Sequence, residues 1–278
     1  MRHWTWVALV SMLVGHSGLA TAEGNFDVAK CAIAELNGDY DDALSSCDRA
    51  LHSGDLSDSE RADALNDRGI AYSGKGDYDR AVQDFDQAIL LNPDDESPYV
   101  GRAMAFANQG RYDQAIESFD QALRLKPDLL YASLWRAQVL FELARFSDAA
   151  GALGPLADAY PELPEVALWF TLAQRRAGNR ADETLKSRTQ QLNLEIWPGP
   201  VVRLYLGQIS RDAVQAAAGD ADPKIAKRQS CQAAFYIAEL DLVSGQKEAA
   251  RPEFQHAIDT CRKGYAFARM AKAEMNRM

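Results

Sequence analysis

The chain has 278 residues, of which 25% are charged and 47% hydrophobic, and its formal net charge is −10. The acidic surplus lies in residues 23–100, which hold 19 acidic and 6 basic residues. Nucleic acid is excluded as a partner class, because nucleic-acid binding needs clustered Lys and Arg. The surplus indicates either a surface for a basic partner or the solvated acidic face common in helical proteins.

Residues 1–22 have the pattern of a signal peptide. Arg2 gives a short positive start, residues 4–14 are apolar but too few to span a bilayer, and Ala20-Thr21-Ala22 offers a small-x-small cleavage site. We expect export to the periplasm or the medium, with cleavage near Ala22. The alternative is a buried or signal-anchor helix, which Gly15 disfavours because it breaks the apolar run.

Residues 23–61 form a degenerate helical hairpin, marked by Gly38, Tyr40, Ala43 and Ala50. Residues 62–163 then repeat every 34 positions, which is the period of stacked helical hairpins. The positions in register are Gly76 and Gly110; Tyr78, Tyr112 and Phe146; Ala81, Ala115 and Ala149; and Pro93, Pro127 and Pro161. A glycine permits the tight turn, a small alanine lets two helices approach, and a proline follows a helix end.

The middle of the chain, residues 164–222, is less regular. It predicts a helix ending at Gly178, a partner helix over 182–194, an interruption at Trp197–Pro200, and a short pair over 201–207 and 211–218. Residues 223–278 return to a hairpin around Gly245, Ala250, Phe254 and Ala257, followed by a capping helix over 265–275.

At this point the sequence resembles the tetratricopeptide repeat family. The first unit carries the family's signature residues at every spacing except two, where Leu65 and Arg68 stand in place of Trp and Leu. The matching residues are Gly69, Tyr72, Gly76, Tyr78, Ala81, Phe85, Ala88 and Pro93. The resemblance implies an all-α solenoid of helical hairpins, here with an irregular middle segment and a C-terminal capping helix.

The four cysteines are predicted to form two disulfides, since an even count in an exported chain favours pairing. Cys31 and Cys47 are equidistant from the turn at Asp39, and Cys231 and Cys261 are equidistant from the turn at Gln246. Equal offsets place two residues at equal height on antiparallel helices. We therefore expect Cys31–Cys47 and Cys231–Cys261, each stabilising the fold by roughly 3 to 4 kcal/mol.

Catalytic chemistry is not indicated. Outside the signal peptide the chain has only His52 and His256, which lack partners nearby in sequence, and no nucleophile, phosphate-binding or zinc motif occurs. We predict no enzyme activity, no cofactor and no metal. The acidic runs 39–42 and 94–96 are interpreted as helix starts and not as metal sites. Arg68, Arg102 and Arg136 recur at a spacing of 34 residues and form an arginine ladder. The ladder could be an anion-binding stripe, but we favour pairing with neighbouring acids such as Asp84 and Asp120.

The repeat resemblance also implies a binding groove, lined by the inner faces of the first helices of successive hairpins. Amides there would hold a bound backbone, while Met and aromatic side chains would supply apolar contact. The residues that the family spacing places in this groove are Asn66, Ile70, Val100, Met104, Asn108, Tyr131, Leu134, Gln138, Phe141, Leu168 and Leu172.

A second resemblance concerns the C-terminal half. Residues 202–210, then Phe235-Tyr236 and the late hairpin to Ala257, are similar to the NlpI family of periplasmic repeat lipoproteins, adaptors that dimerise and bring a cell-wall hydrolase to a protease. Membrane anchoring does not carry over, because the first cysteine is Cys31 and no lipid-bearing cysteine follows the signal peptide.

The function predicted from these features is an exported scaffold or adaptor that binds a protein or peptide, with an envelope protease or cell-wall hydrolase as the specific candidate partner. The alternative is a small-ligand protein or enzyme with its site in residues 164–222, around Trp169, Trp197 and Tyr205. A third possibility is a homodimer whose groove is filled by its own chain.

Overall fold

The computed structural model describes residues 23–37, 39–53, 56–262 and 264–278, and the regular elements within them are all α-helices. The predicted signal peptide and Gly38 lie outside the described residues. The chain divides into two compact units, residues 1–132 and 133–278, with the boundary inside the third predicted repeat. Within the described ranges, no helix is both long and apolar enough to cross a membrane.

Unit 1 is a stack of three helical hairpins. Each hairpin pairs an odd-numbered helix with the next even-numbered one, and α1, α3 and α5 also contact one another in succession. The odd-numbered helices therefore form one layer of the stack. Its helices are α1 (Glu23–Asn37), α2 (Tyr40–His52), α3 (Asp58–Lys75), α4 (Tyr78–Leu91), α5 (Glu96–Asn108) and α6 (Tyr112–Leu125), and α7 (Leu130–Glu142) begins in this unit.

The helix ends follow from local residue chemistry. Ser57 and Glu60 form a reciprocal capping box at the start of α3, and Gly76 ends the helix with a left-handed φ of 84°. Asp77 then caps α4 by accepting a hydrogen bond from the Arg80 N–H. In the third repeat a non-glycine residue, Ala144, takes the left-handed turn with a φ of 58°. This turn is therefore strained where the equivalent turns are not.

The spacing between hairpins is set by a phenylalanine facing two glycines. Phe85 is fully buried, and a Cβ atom added at Gly69 or Gly101 would lie 2.8 Å or 2.5 Å from its ring. Ala81 and Ala103 are also fully buried. The prediction that small residues let these helices approach closely is confirmed, and the ring fills the space they leave.

The arginine ladder pairs with carboxylates in the described part of unit 1. Arg68 donates two hydrogen bonds to Asp84, at 2.8 and 2.7 Å, and a third to Asp48 at 2.7 Å. Arg102 donates to Asp86 at 2.6 Å and to Ser118 at 3.2 Å. The predicted pairing of Arg68 with Asp84 is confirmed, and these arginines join one hairpin to the next.

Unit 2 contains the irregular segment and the C-terminal hairpin. Its helices after α7 are α8 (Phe146–Ala159), α9 (Pro164–Arg176), α10 (Asp182–Arg188), α11 (Gly199–Tyr205), α12 (Arg211–Ala217), α13 (Pro223–Val243), α14 (Lys247–Thr260) and α15 (Ala266–Arg277). The predicted helix over 182–194 ends early, at Arg188. The Thr189 hydroxyl bonds to the Lys186 carbonyl at 2.7 Å, and the Asn193 N–H donates to Glu162 O at 3.2 Å, so local and tertiary bonds replace the helical ones.

An aromatic cluster forms the core of unit 2. Trp169 of α9 is 1% exposed, and its ring lies 5.6 Å from Phe141 and Phe267 and 5.8 Å from Tyr236, between centroids. Phe235 adds an edge-to-face contact with Phe267 at 5.2 Å. These rings join α7, α9, α13 and α15 into one packed body.

A buried ionic network ties the last helix to this core. Arg176 of α9 donates to Glu239 of α13 at 2.7 Å and to Glu274 of α15 at 2.9 Å, and both carboxyls are at most 1% exposed. Arg269 of α15 reaches Glu142 at 3.3 Å. Sequence reasoning did not identify this network, because its members lie up to 127 residues apart.

Both predicted disulfides are confirmed. Cys31–Cys47 joins α1 to α2, and Cys231–Cys261 joins α13 to the end of α14, each with a Cα–Cα distance of 5.1 Å. Each bond therefore closes one hairpin, as the equal offsets from the turns predict.

Candidate functional sites

An open stripe runs along the layer of odd-numbered helices in unit 1. We call it the α3–α5 face and define it by Asp63, Asn66, Ile70 and Ser73 of α3 and by Met104 and Asn108 of α5. These residues are spaced three or four apart, so they share one side of each helix. They are partly or fully exposed, whereas the neighbouring faces of both helices are buried.

The polar side chains on this face are incompletely paired. Asn66 Oδ1 and Ser73 Oγ are buried atoms without a hydrogen-bond partner in the described structure. Ile70 lies between them on the helix surface, and the Met104 side chain is 40% exposed. The face thus combines apolar contact area with hydrogen-bonding capacity that the fold leaves unused.

One end of the α3–α5 face is acidic. The pKa of Asp63 is raised by partial burial and then by repulsion from Asp95 and Glu60. Asp95 caps α5 at Ser97 N, at 2.9 Å, and Glu60 belongs to the cap of α3, so both carboxylates are fixed in place. A cation bound here would relieve the repulsion.

The predicted groove residues fall into three groups. Asn66, Ile70, Met104, Asn108 and Tyr131 retain exposed surface. Val100 is 8% exposed and Gln138 is 5% exposed, so each offers little area to a ligand.

For the remaining four groove residues the prediction was wrong. Leu134, Phe141, Leu168 and Leu172 are at most 1% exposed and belong to the core of unit 2. The regular repeat spacing places them in a groove, but the packing of unit 2 buries all four side chains. Phe141, for example, packs against Phe146 at 4.9 Å between centroids.

Unit 2 holds a second candidate site, beside the loop before α11. We call it the Trp197 cluster. Trp197 Nε1 donates to Gln232 Oε1 at 2.6 Å, and Gln232 Nε2 donates to the Tyr265 hydroxyl at 2.8 Å. The residues electrostatically coupled to this cluster are Glu165 in the first turn of α9 and Arg228 and Tyr236 of α13.

Glu165 is the acidic group beside the Trp197 cluster. Burial raises its pKa to about 7, and the nearby Arg228 offsets only part of that effect. Burial is the main cause that raises the pKa of the Tyr236 and Tyr265 phenols, and the charge of Glu165 raises both pKa values further. Sequence reasoning named Trp197 but missed Glu165, Gln232 and Tyr265, because no local motif connects residues so far apart in the chain.

The other two aromatic residues of the predicted small-ligand site are structural. Trp169 is 1% exposed, and Tyr205 is 6% exposed with its hydroxyl donating to the Tyr236 carbonyl at 2.9 Å. Of the three residues named from sequence, only Trp197 is partly exposed, and the buried indole nitrogen of Trp169 has no hydrogen-bond partner among the described residues.

Other surface features are simpler. An open depression of about 670 Å³ lies at the α3–α4 and α5–α6 turns, lined by residues such as Asp77, Asp79 and Arg111. His52 and His256 are exposed, consistent with a surface role. Among the residues described, no group of His, Cys, Asp or Glu is arranged to hold a metal ion.

Comparisons with known proteins point to one repeat family. Residues 62–95 and 98–129 match the family model described as Tetratricopeptide repeat. A tetratricopeptide repeat protein from Parabacteroides merdae superposes with a TM-score of 0.60 at 14% identity, covering 91% of this chain and 99% of that chain. No curated protein matches the sequence.

Two structures of MamA are also similar. One has a TM-score of 0.53 at 17% identity and covers 60% of this chain and 91% of that chain, and the other has 0.52 at 16%, covering 62% and 96%. At these identities the likeness concerns the fold alone. The NlpI-type resemblance is not confirmed by any of these matches and stays a prediction.

Proposed function

We propose that this chain, a tetratricopeptide-repeat protein, is a scaffold that binds a polypeptide on the α3–α5 face of unit 1. The observation that carries the proposal is the unused hydrogen-bonding capacity of that face. Among the residues that the structure describes, Asn66 Oδ1 and Ser73 Oγ are buried without a hydrogen-bond partner on either side of Ile70, and Met104 is exposed on the adjoining helix. A rotation of the Asn66 side chain would present this acceptor to a bound backbone amide, and the side chains of the bound segment would cover Ile70 and Met104.

The partner segment is basic and carries at least one apolar side chain. Asp63, Asp95 and Glu60 concentrate negative charge at one end of the face, where partial burial and then repulsion from the other two carboxylates raise the pKa of Asp63. A Lys or Arg placed there would favour the ionised form of Asp63. The attraction would weaken with added salt, because these carboxylates are near the surface.

We further infer that the scaffold works in the cell envelope after export. The apolar run and cleavage pattern of residues 1–22 support export, and the two disulfides suit an oxidising compartment. An envelope protease or a cell-wall hydrolase is the specific partner that we propose. Recruitment would act by raising the local concentration of the bound protein.

The binding face is tested by introducing a carboxylate at apolar positions on and off the face. Ile70→Glu and Met104→Glu each place a carboxylate on the α3–α5 face, whereas Leu90→Glu does so on α4, at a residue that is 74% exposed. Partners captured by the mature protein are identified by mass spectrometry, and their affinity for each variant is measured by calorimetry.

We expect the two face variants to weaken binding by tenfold or more, about 1.4 kcal/mol or above. The Leu90→Glu variant should bind within about twofold of wild type, since its carboxylate is solvated and away from the face. Equal loss in all three variants, or no loss in any, would overturn the proposal. An affinity that does not fall with salt would exclude the basic partner.

A further inference from the structure

Helix α15 contacts helices that are far from it in the order of hairpins. It packs along α13 and α14, which precede it directly. Beyond these neighbours, the Phe267 ring lies 5.6 Å from that of Trp169 in α9, between centroids, and Arg269 donates to Glu142 of α7 at 3.3 Å. In a regular stack each hairpin contacts only the hairpins next to it. Helix α15 therefore lies across a concavity formed by α7, α9 and α13, and it does not simply add a further layer.

The side chains that α15 buries have the spacing of a helix bound in a groove. Phe267, Met270, Ala271 and Glu274 are at most 3% exposed, and they recur at intervals of three and four residues. The same intervals separate the anchor residues of an amphipathic helix that docks on another protein. Lys272 lies on the opposite side and is exposed. Helix α15 thus has the form of a ligand helix that is held by its own chain.

The surface beneath α15 selects a carboxylate at one defined position. Arg176 of α9 donates to Glu274 at 2.9 Å and, with its other terminal nitrogen, to Glu239 of α13 at 2.7 Å. The Arg176 side chain is only 13% exposed, so water screens this contact weakly. Since Glu274 follows Phe267 by seven residues, a helix that fits this surface needs an aromatic residue and an acid at that spacing.

The fit of α15 to this surface is incomplete. Trp169 Nε1 and Glu239 Oε1 are buried atoms without a hydrogen-bond partner in the part of the chain that the structure describes. The Trp169 ring packs against Phe267, but residues 266–271 of α15 offer the indole no side-chain acceptor, because their one polar member is Arg269. Unpaired buried polar groups disfavour the docked state, so they favour the release of α15.

We propose that α15 is an internal ligand of unit 2, and that the surface beneath it binds a helix of a partner protein when α15 is released. The partner helix carries an aromatic residue, an aliphatic residue three positions later and a carboxylate seven positions later. These side chains would take the places of Phe267, Met270 and Glu274. The apparent affinity for the partner is then set by the fraction of molecules in which α15 is released.

The experiment measures the binding of a fluorescein-labelled peptide of residues 265–278 to the full chain by fluorescence anisotropy. The chains are wild type, Glu274→Gln, which replaces an acceptor of Arg176, and Lys272→Gln, which removes a charge from the exposed side of the same helix. Two control peptides carry Phe267→Ala or Lys272→Gln. A second measurement, hydrogen exchange followed by mass spectrometry, compares α15 with α13 in the wild-type chain alone.

We expect the Glu274→Gln chain to bind the peptide at least tenfold more tightly than wild type, because α15 is released in more of its molecules. The Lys272→Gln chain should bind within about twofold of wild type. In the peptide, Phe267→Ala should weaken binding at least tenfold, whereas Lys272→Gln should not. In the wild-type chain the α15 amides should exchange at least tenfold faster than those of α13, since α15 opens while the core stays folded.

Equal exchange rates in α15 and α13 would show that α15 leaves only when unit 2 unfolds, and this result would overturn the proposal even where a variant fails to fold. So would a peptide that binds none of the folded chains, or one that binds the Glu274→Gln chain no more tightly than wild type. A dimer of the chain that excess peptide dissociates would assign the surface to a second copy and overturn its assignment to a different protein. Binding to the α3–α5 face is tested separately, because Met104→Glu, in unit 1, should bind the peptide as wild type does.

Discussion

The buried Glu239 carboxyl makes the stability of unit 2 fall with rising pH, and Glu239→Gln should remove most of that fall. Glu239 is fully buried, and burial raises its pKa from 4.5 to about 8 despite the attraction of Arg176. The folded protein therefore binds this proton more tightly than the unfolded chain does. The stabilisation is fully present below about pH 4.5 and is lost as the pH rises through about 8.

The magnitude follows from the two pKa values. Between pH 6 and pH 8 the loss of the Glu239 proton should lower the free energy of unfolding by about 2 kcal/mol. Glu165, whose pKa is raised to about 7, should lower the free energy of unfolding by about 1 kcal/mol more between pH 6 and pH 8. Glutamine has the shape and hydrogen-bonding capacity of the protonated acid, so Glu239→Gln should retain the contact with Arg176.

The assay is urea denaturation at pH 6, 7 and 8, followed by tryptophan fluorescence. Outside the predicted signal peptide all tryptophans lie in residues 133–278, so the signal reports unit 2. Between pH 6 and pH 8, the free energy of unfolding of Glu239→Gln should fall by about 2 kcal/mol less than that of wild type. Glu248→Gln, at a side chain that is 91% exposed, should follow wild type. Parallel curves for Glu239→Gln and wild type would refute the reasoning.

Three further substitutions test the packing of the repeats. Gly101→Ala should destabilise unit 1 by about 1–3 kcal/mol, because the added Cβ would lie 2.5 Å from the Phe85 ring. The measurement is urea denaturation followed by circular dichroism, and an unchanged midpoint would contradict the prediction. Arg68→Ala should cost about 3–5 kcal/mol by the same assay, because it leaves the buried Asp84 carboxylate unpaired, and a loss below about 1 kcal/mol would contradict this. Ala144→Gly should stabilise unit 2 by about 1 kcal/mol in fluorescence-monitored melts, since it relieves a left-handed φ of 58°, and destabilisation would contradict it.

The sequence predicted those features that depend on local spacing. The 34-residue period places the hairpin turns at Gly76 and Gly110, and both adopt a positive φ. The equal offsets of Cys231 and Cys261 from one turn identify the disulfide, because two antiparallel helices keep residues at equal height. These features can be predicted from one sequence because each depends on residues within a single hairpin.

Tertiary features were missed wherever distant residues decide the outcome. Phe141 has the spacing of a groove residue, but Trp169 covers it, and no local pattern records that contact. The same is true of Arg176, whose partners Glu239 and Glu274 lie 63 and 98 residues away. The Trp197 cluster depends on a similar convergence, so only one of its residues could be named from sequence.

The most direct test of the scaffold function is site-specific photo-cross-linking in intact cells that express the full chain. A photoreactive amino acid replaces either Met104, on the α3–α5 face, or Leu90, an exposed apolar residue on α4. The account predicts that cross-links from position 104, and not from position 90, join the chain to an envelope protein through a basic segment. Equal cross-linking from both positions, or only cross-links between copies of this chain, would contradict it.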